Sequence, residues 1–248
     1  MPSPAVHQLE KIARLSWPAE DEAFLQSDWC CRANGGYSKR ANSAWVDVAA
    51  EQSWETIVAT TEAWYAKRQQ QSVIKLTDWQ PRSLDNYLHD RGYKVLDPST
   101  VMVKSLVSEG IYKPIQDGLY IGETDDRWQQ DYRRLSDLPA DKFVPFMTQL
   151  TLMPERIAIT AYSSGLALAT GLGIIVDGFL GLCDIVTAVP HRRQGHAERV
   201  VASLLYEGIQ RGCHTAWLQV FNHNVVASRL YQKLGFQPAY GYHYRVRD

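Results

Sequence analysis

The chain has 248 residues, 45% of them hydrophobic and 21% charged, with a formal net charge of −1. That length suits one large or two small domains of an ordinary globular protein. A charge so near zero leaves no footprint for nucleic acid or an anionic membrane, and no apolar run is long enough to span a bilayer.

The opening Met1-Pro2-Ser3-Pro4-Ala5-Val6 lacks the basic and apolar regions of a signal peptide. Cys30, Cys31, Cys183 and Cys213 show no metal-ligand spacing, which points to reduced thiols in a cytoplasmic protein and to no metal site. In chain order, Leu9, Ile12, Ala13 and Leu15 predict a helix over 7–17, ended by Pro18. Residues 29–32 and 41–48 read as strands joined at Asn34-Gly35-Gly36. Arg32, Asn34, Arg40 and Asn42 decorate that hairpin, either as a solvated face or as a polar wall to a cleft. A helix over 53–67 carries the stripe Trp54, Ile57, Val58, Thr61, Trp64 and Tyr65, with Ser53 as its N-cap. A strand over 72–76, a helix over 83–91 capped by Gly92, and a strand over 101–106 follow.

Residues 108–118, with Gly110, Pro114 and Gly118, read as a linker. Helices are expected over 127–138 and 140–150. Strands over 156–162, 166–176 and 179–189 then form a meander, turning at Ser163-Ser164-Gly165 and Asp177-Gly178. A basic turn, His191-Arg192-Arg193-Gln194-Gly195-His196-Ala197, opens onto an amphipathic helix to about residue 210. A strand over 215–221 and a helical pattern with Ala227, Leu230, Tyr231 and Leu234 lead to Gly235-Phe236. A turn that opens onto a helix N-terminus offers unpaired N–H groups and the positive end of the dipole, and so suits a pyrophosphate.

The chain repeats itself. In each half a long helix, a short apolar strand, a short helix, a Gly-aromatic pair and a final strand follow in order. Ile74 to Tyr93 is nineteen positions and Leu218 to Phe236 is eighteen. We therefore expect an α/β (α+β) protein of two tandem units, residues 1–107 and 119–248. The first copy has Asp47-Val48-Ala49-Ala50-Glu51-Gln52 where the basic turn would fall, with no glycine and with charges that repel phosphate.

Arg192-x-x-Gly195-x-Ala197, followed by Asn224-x-x-Ala227-x-x-Leu230-Tyr231-x-x-Leu234-Gly235-Phe236, resembles the paired signatures of the GNAT superfamily of acyl-CoA N-acyltransferases. The resemblance is specific over 179–236 and architectural before it, where tandem GNAT proteins of the mycothiol-synthase type are the nearest analogy. It implies two GNAT-like units, each a mixed, mostly antiparallel sheet flanked by helices. The first unit is degenerate, and the second binds acetyl-CoA as co-substrate and acetylates the amine of a small molecule or peptide. By the same resemblance, the amides of Arg193, Gln194, Gly195, His196 and Ala197 cradle the pyrophosphate and Arg192 adds charge. Ile185, Val186 and Thr187 receive the pantetheine arm and the thioester carbonyl. Asn224 holds the pantetheine or caps its helix, and Tyr231 protonates the departing thiolate or simply fills the core.

The general base is not given by the resemblance. The family's glutamate position falls on Gly181, and Asp184 is the only carboxylate of its strand. Alternation sets Asp184 on the face opposite Gly181 unless a bulge intervenes. Asp184 as base or substrate anchor, a water relay, and an already neutral amine all stay open. Tyr242 and Tyr244 are candidates for an acceptor wall. An acyl-CoA-binding sensor without chemistry is the alternative function. Oligomeric state is unreadable, with a homodimer left open.

Overall fold

The computed structural model describes residues 4–26, 29–46, 53–106 and 117–247, arranged as two compact units. The candidate loop 47–52 and most of the expected linker lie outside the described residues.

The first unit comprises Met1–Val101, Phe221–His223 and Ala239–Asp248. It contains α1 (Pro4–Ser16), β1 (Asp21–Gln26), β2 (Trp29–Ala33), β3 (Ala44–Val46), α2 (Trp54–Ala66), β4 (Ser72–Thr77) and α3 (Arg82–Asp90). β5 (Lys94–Ser105) begins here, and β11 (Gln237–Arg247), the last strand of the chain, pairs antiparallel with β4 from Thr77↔Tyr242 to Ser72↔Arg247. The division therefore does not follow one cut in the sequence, because the C-terminal strand completes the first unit. Adjacency in sequence cannot say which sheet edge takes a terminal strand.

Strand alternation sorts the two faces of β4. Ile74 and Leu76 join Trp29, Ile57, Val58, Tyr65, Leu84, Leu88 and Tyr93 in one apolar cluster with α2 and α3. Lys75 points the other way, to α1. Its ammonium lies 2.6 and 2.7 Å from the two Glu10 carboxylate oxygens and 4.5 Å from the Tyr242 ring. The Tyr240 hydroxyl donates to the same carboxylate at 2.6 Å. Glu10, Lys75 and Tyr240 are all buried, at 3, 8 and 9% exposure, so each charge depends on its partner.

Three of the four polar hairpin residues prove not to form a solvated face, while Arg40 is partly exposed. Arg32, Asn34 and Asn42 are buried. The Arg32 guanidinium donates to Glu22, to the carbonyls of Arg14 and Arg40, and to that of Trp17. Asn42 Oδ1 accepts from the Asn34 and Gly36 amides at 2.6 and 3.1 Å. These side chains do inside the loop what water does outside it. Ser53 makes no side-chain cap bond.

The second unit comprises Met102–Val220 and Asn224–Pro238. It contains β6 (Leu119–Gly122), α4 (Asp126–Ser136), α5 (Ala140–Leu152), β7 (Arg156–Ser163), β8 (Leu166–Val176) and β9 (Phe179–Thr187). α6 (His196–Gln210), β10 (Thr215–Phe221) and α7 (Val225–Lys233) follow. β6 to β9 form an antiparallel meander, and β10 runs parallel to β9. α6 packs on β7, β8 and β9, over a core that includes Ile157, Ile159, Leu180, Leu182, Val200 and Leu204.

Both units end their short helix in the same way. Gly92 and Gly235 take φ of +87 and +88° and donate to the carbonyl three residues back, from His89 and Gln232. The next amides, of Tyr93 and Phe236, reach back five residues to Leu88 and Tyr231, and both rings are buried. This left-handed helix stop favours glycine, so the repeated Gly-aromatic pair is one backbone device used twice.

Glu10→Ala would strand the Lys75 ammonium and the Tyr240 hydroxyl inside the first unit. We expect it to lower the unfolding free energy by about 3–5 kcal/mol, read from urea denaturation.

Candidate active site

β9 and β10 are registered over four pairs, from Phe179↔Thr215 to Leu182↔Leu218, and there the pairing ends. β9 nevertheless keeps β8 as far as Thr187, paired with Ala169. Ile185, Val186 and Thr187 thus lie on a strand edge that has lost its parallel neighbour, and all three are partly exposed.

The split coincides with a bulge. Thr170 pairs with Val186 and Leu172 with Cys183, so Gly171 alone stands opposite both Asp184 and Ile185. Asp184 absorbs the extra residue at φ +52°, a region that aspartate tolerates better than most side chains. Without the bulge, alternation would send Asp184 into the core beside Leu180 and Leu182. Ile185 takes that place instead, its Cδ1 only 2.5 Å from where a Cβ on Gly171 would stand, beside Val200 of α6. Asp184 turns to the other face, where α4 packs, and its Oδ1 accepts from the Tyr132 hydroxyl at 3.1 Å. Tyr132 is itself fixed between aromatic rings. Trp128 stacks on it at 5.2 Å and 9°, and Phe146 lies at 4.7 Å and 32°.

Gly181 faces the same side as Asp184, since Leu180 and Leu182 take the core side. A Cβ at position 181 would come within 2.9 Å of Trp217 Cζ2 and 3.1 Å of its Nε1. The indole fills the space that a side chain at 181 would need. The glycine therefore reflects packing, and Asp184, three positions along, is the strand's carboxylate on this face.

After β9 a short 3₁₀ turn (Val189–His191) leads into the basic turn. Arg193 and Gly195 both adopt left-handed backbone, at φ +65 and +84°. Nothing lies within 4 Å of a Cβ on Gly195, so its conformation rather than its surroundings calls for glycine. Gly195 is the N-cap of α6 and supplies no side-chain cap, leaving the first-turn amides for an outside acceptor. Arg192 and Arg193 are exposed, and no acidic residue occurs between Ile185 and Ala197. Glu198, the first acid of the helix, is engaged by Lys233 at 2.7 Å. Burial, and then the neighbouring His191 and Arg199, lower the His196 pKa, which favours the neutral ring.

Asn224 is the N-cap of α7, its Oδ1 accepting from the Ala227 amide at 3.1 Å. Tyr231, on the same helix, is 9% exposed and meets Phe236 edge-on at 5.9 Å. Tyr242 and Tyr244 lie on the β11 segment of the first unit and are buried, at 5 and 3%.

The first unit has a parallel pair of its own, β3 with β4, registered as Ala44↔Ile74 and Trp45↔Lys75. Just past it the buried Gln80 side chain bridges the strands. Its carboxamide donates to the Val46 carbonyl and accepts from the Thr77 amide and, at 2.6 Å, from the Thr77 hydroxyl. In the first unit a side chain thus bridges the two strands just past their parallel pairing. Gln80, Tyr132 and Trp217 carry no sequence signal of these roles, since each contact joins residues from elements that only folding brings together.

Comparison with known proteins fits this geometry. A family profile described as "Probable histone acetyltransferase Rv0428c C-terminal" matches residues 4–246. The chain belongs to this family of GNAT N-acetyltransferases. The acetyltransferase is also 26% identical over 246 residues to the "Uncharacterized N-acetyltransferase YobR" of Bacillus subtilis (strain 168), a match covering 98% of each chain. Among solved structures, a GCN5-related N-acetyltransferase from Kribbella flavida superposes with a TM-score of 0.72 at 16% identity, covering 99% of this chain and 96% of that one. A tandem GNAT protein from the clavulanic acid biosynthesis pathway superposes at 0.64 and 11% identity, over 97 and 87% of the two chains. These two likenesses concern the fold.

Gly181→Val would push a branched side chain into the Trp217 indole. The expected cost is about 1–3 kcal/mol in thermal or urea unfolding, and the same substitution made in a Trp217→Ala background should cost markedly less than in the wild type.

Proposed function

We propose that the second unit binds acetyl-CoA and transfers its acetyl group directly to a primary amine. The observation that carries this reading is the split between β9 and β10, followed at once by a basic turn whose amides open onto α6. The split edge offers backbone groups to the amides of a pantetheine arm, and the turn offers N–H groups and the helix dipole to a pyrophosphate. In this reading the amides of Arg193, Gln194, Gly195, His196 and Ala197 hold the pyrophosphate, with Arg192 adding charge. Ile185, Val186 and Thr187 hold the arm, and an N–H among them bonds the oxyanion formed on attack. Asn224, besides capping its helix, bonds the pantetheine.

Asp184 takes the proton that the attacking nitrogen must lose, and Tyr231 gives one to the CoA thiolate. The bulge supports the first assignment, because it brings the carboxylate to the α4 face and out of the core. The first unit is a degenerate GNAT copy. Its Gln80 bridge closes the strand ends a pantetheine would need, so the chain binds one acetyl-CoA. The acceptor is a small-molecule or peptide amine. The family description names a probable histone acetyltransferase, which makes a lysine side chain in a peptide one arm of the test.

Calorimetric titration with acetyl-CoA is expected to give one site per chain. Arg192→Ala should weaken it about tenfold, as fits one lost charge-assisted contact. Tyr231→Phe should leave that affinity unchanged while lowering kcat about 10²-fold in thiol-release assays over amino sugars, polyamines and a lysine peptide. Two sites per chain, or an unchanged kcat, would contradict the reading.

A further inference from the structure

We propose that Tyr132 is a positioning residue for Asp184, holding the carboxylate in its working orientation and in its charged form. This inference rests on the reading of Asp184 as the proton acceptor and adds to it a residue from outside both signatures.

The geometry is specific. Asp184 stands at a bulge with left-handed backbone, where the side chain has left the alternation that would otherwise fix its direction. The Tyr132 hydroxyl supplies a direction, donating to Oδ1 at 3.1 Å across from α4. A phenol is useful in this role only if it is itself immobile. Trp128, one helical turn earlier, stacks on one side, and Phe146 of α5 closes in at 4.7 Å. Tyr132 is 4% exposed and Trp128 and Phe146 are fully buried. Three rings thus hold one hydroxyl against one carboxylate. A hydrogen bond to the charged form stabilises that form, so the contact favours a carboxylate able to accept a proton.

The other charged groups of α4 are engaged by partners of their own or exposed. On α4, Asp131 accepts from the Tyr162 hydroxyl and from Arg134 at 3.5 Å, and Arg134 also donates to the Ala167 carbonyl. Arg127 lies over the Tyr162 ring and Arg133 over the Phe143 ring, while Asp126 is exposed in the first turn. On α6, Glu198 pairs with Lys233, and His196, Arg199 and Glu207 share its helix. β8 and β10 carry no charged residue. Tyr132 thus brings a hydrogen-bond donor to Asp184 from another element.

The test is the pH profile of kcat/KM, using acetyl-CoA and the best amine from the panel, for the wild type, Asp184→Asn, Tyr132→Phe and a variant carrying 3-fluorotyrosine at 132. The acid limb that disappears in Asp184→Asn belongs to Asp184. Removing the donor destabilises the carboxylate and raises its pKa, so that limb should move up by about one pH unit in Tyr132→Phe. kcat should fall about tenfold with KM for acetyl-CoA unchanged. 3-Fluorotyrosine is a stronger donor of nearly the same shape and should move the limb the other way. A purely structural tyrosine would give no such opposed shifts, and limbs that coincide with the wild type in the fluorinated variant would overturn the inference even if Tyr132→Phe failed to fold. An Asp184→Asn enzyme with wild-type rate and profile would instead sink the prior reading of Asp184, and with it this one.

Discussion

The second unit depends on one residue too many in β9. Gly171 faces two residues where a regular ladder would give it one, and the accommodation settles several things together. Ile185 fills the core position next to α6, Asp184 is released to the α4 face, and the strand bends as its pairing with β10 runs out at Leu182. Bulges raise local twist and redirect side chains. Here both effects serve the same place, a parted strand edge with a carboxylate at its base and a helix N-terminus beyond it. The small residue at 171 is part of the device, since a Cβ there would collide with both Ile185 and Val200.

The first unit carries a parallel pair of its own, bridged by a side chain. Its parallel strands part after Trp45↔Lys75, and Gln80 meets the freed backbone groups with its own carboxamide. A side-chain amide thereby partners the Val46 carbonyl and the Thr77 amide, in keeping with the cost of leaving buried backbone groups unpaired. The α1 face is filled by Glu10, Lys75 and Tyr240 in mutual contact. Buried charges of this kind are weak sources of stability and stricter sources of geometry. The thiols of this unit, Cys30 and Cys31, are both buried. Burial pushes Cys30 up to about 11 and Cys31 up to about 12.

Much of this was legible in the sequence, for identifiable reasons. The basic turn could be read because left-handed backbone at Gly195 restricts the residue there, and Gly92 and Gly235 marked two helix ends for the same reason. The long helices and the β7–β9 meander announced themselves through periodicity and turn residues. β1 and β6 were missed, since Asp21–Gln26 and Leu119–Gly122 lack the β-branched alternation that marks a strand. Arg32, Asn34 and Asn42 were misread because residues of their type are usually solvated, and only the folded hairpin supplies partners that allow their burial. The face of Asp184 was left undecided for a deeper reason. A bulge is set by the register between two strands, and a single strand's sequence does not contain it.

The most direct test of the account is a crystal structure of the acetyl-CoA complex. Pyrophosphate oxygens are expected to accept from the amides between Arg193 and Ala197, with a pantetheine arm along Ile185 to Thr187 and no nucleotide between β3 and β4. A CoA molecule seated against Gln80 and Val46, or one whose pyrophosphate makes no contact with the α6 N-terminus, would contradict it.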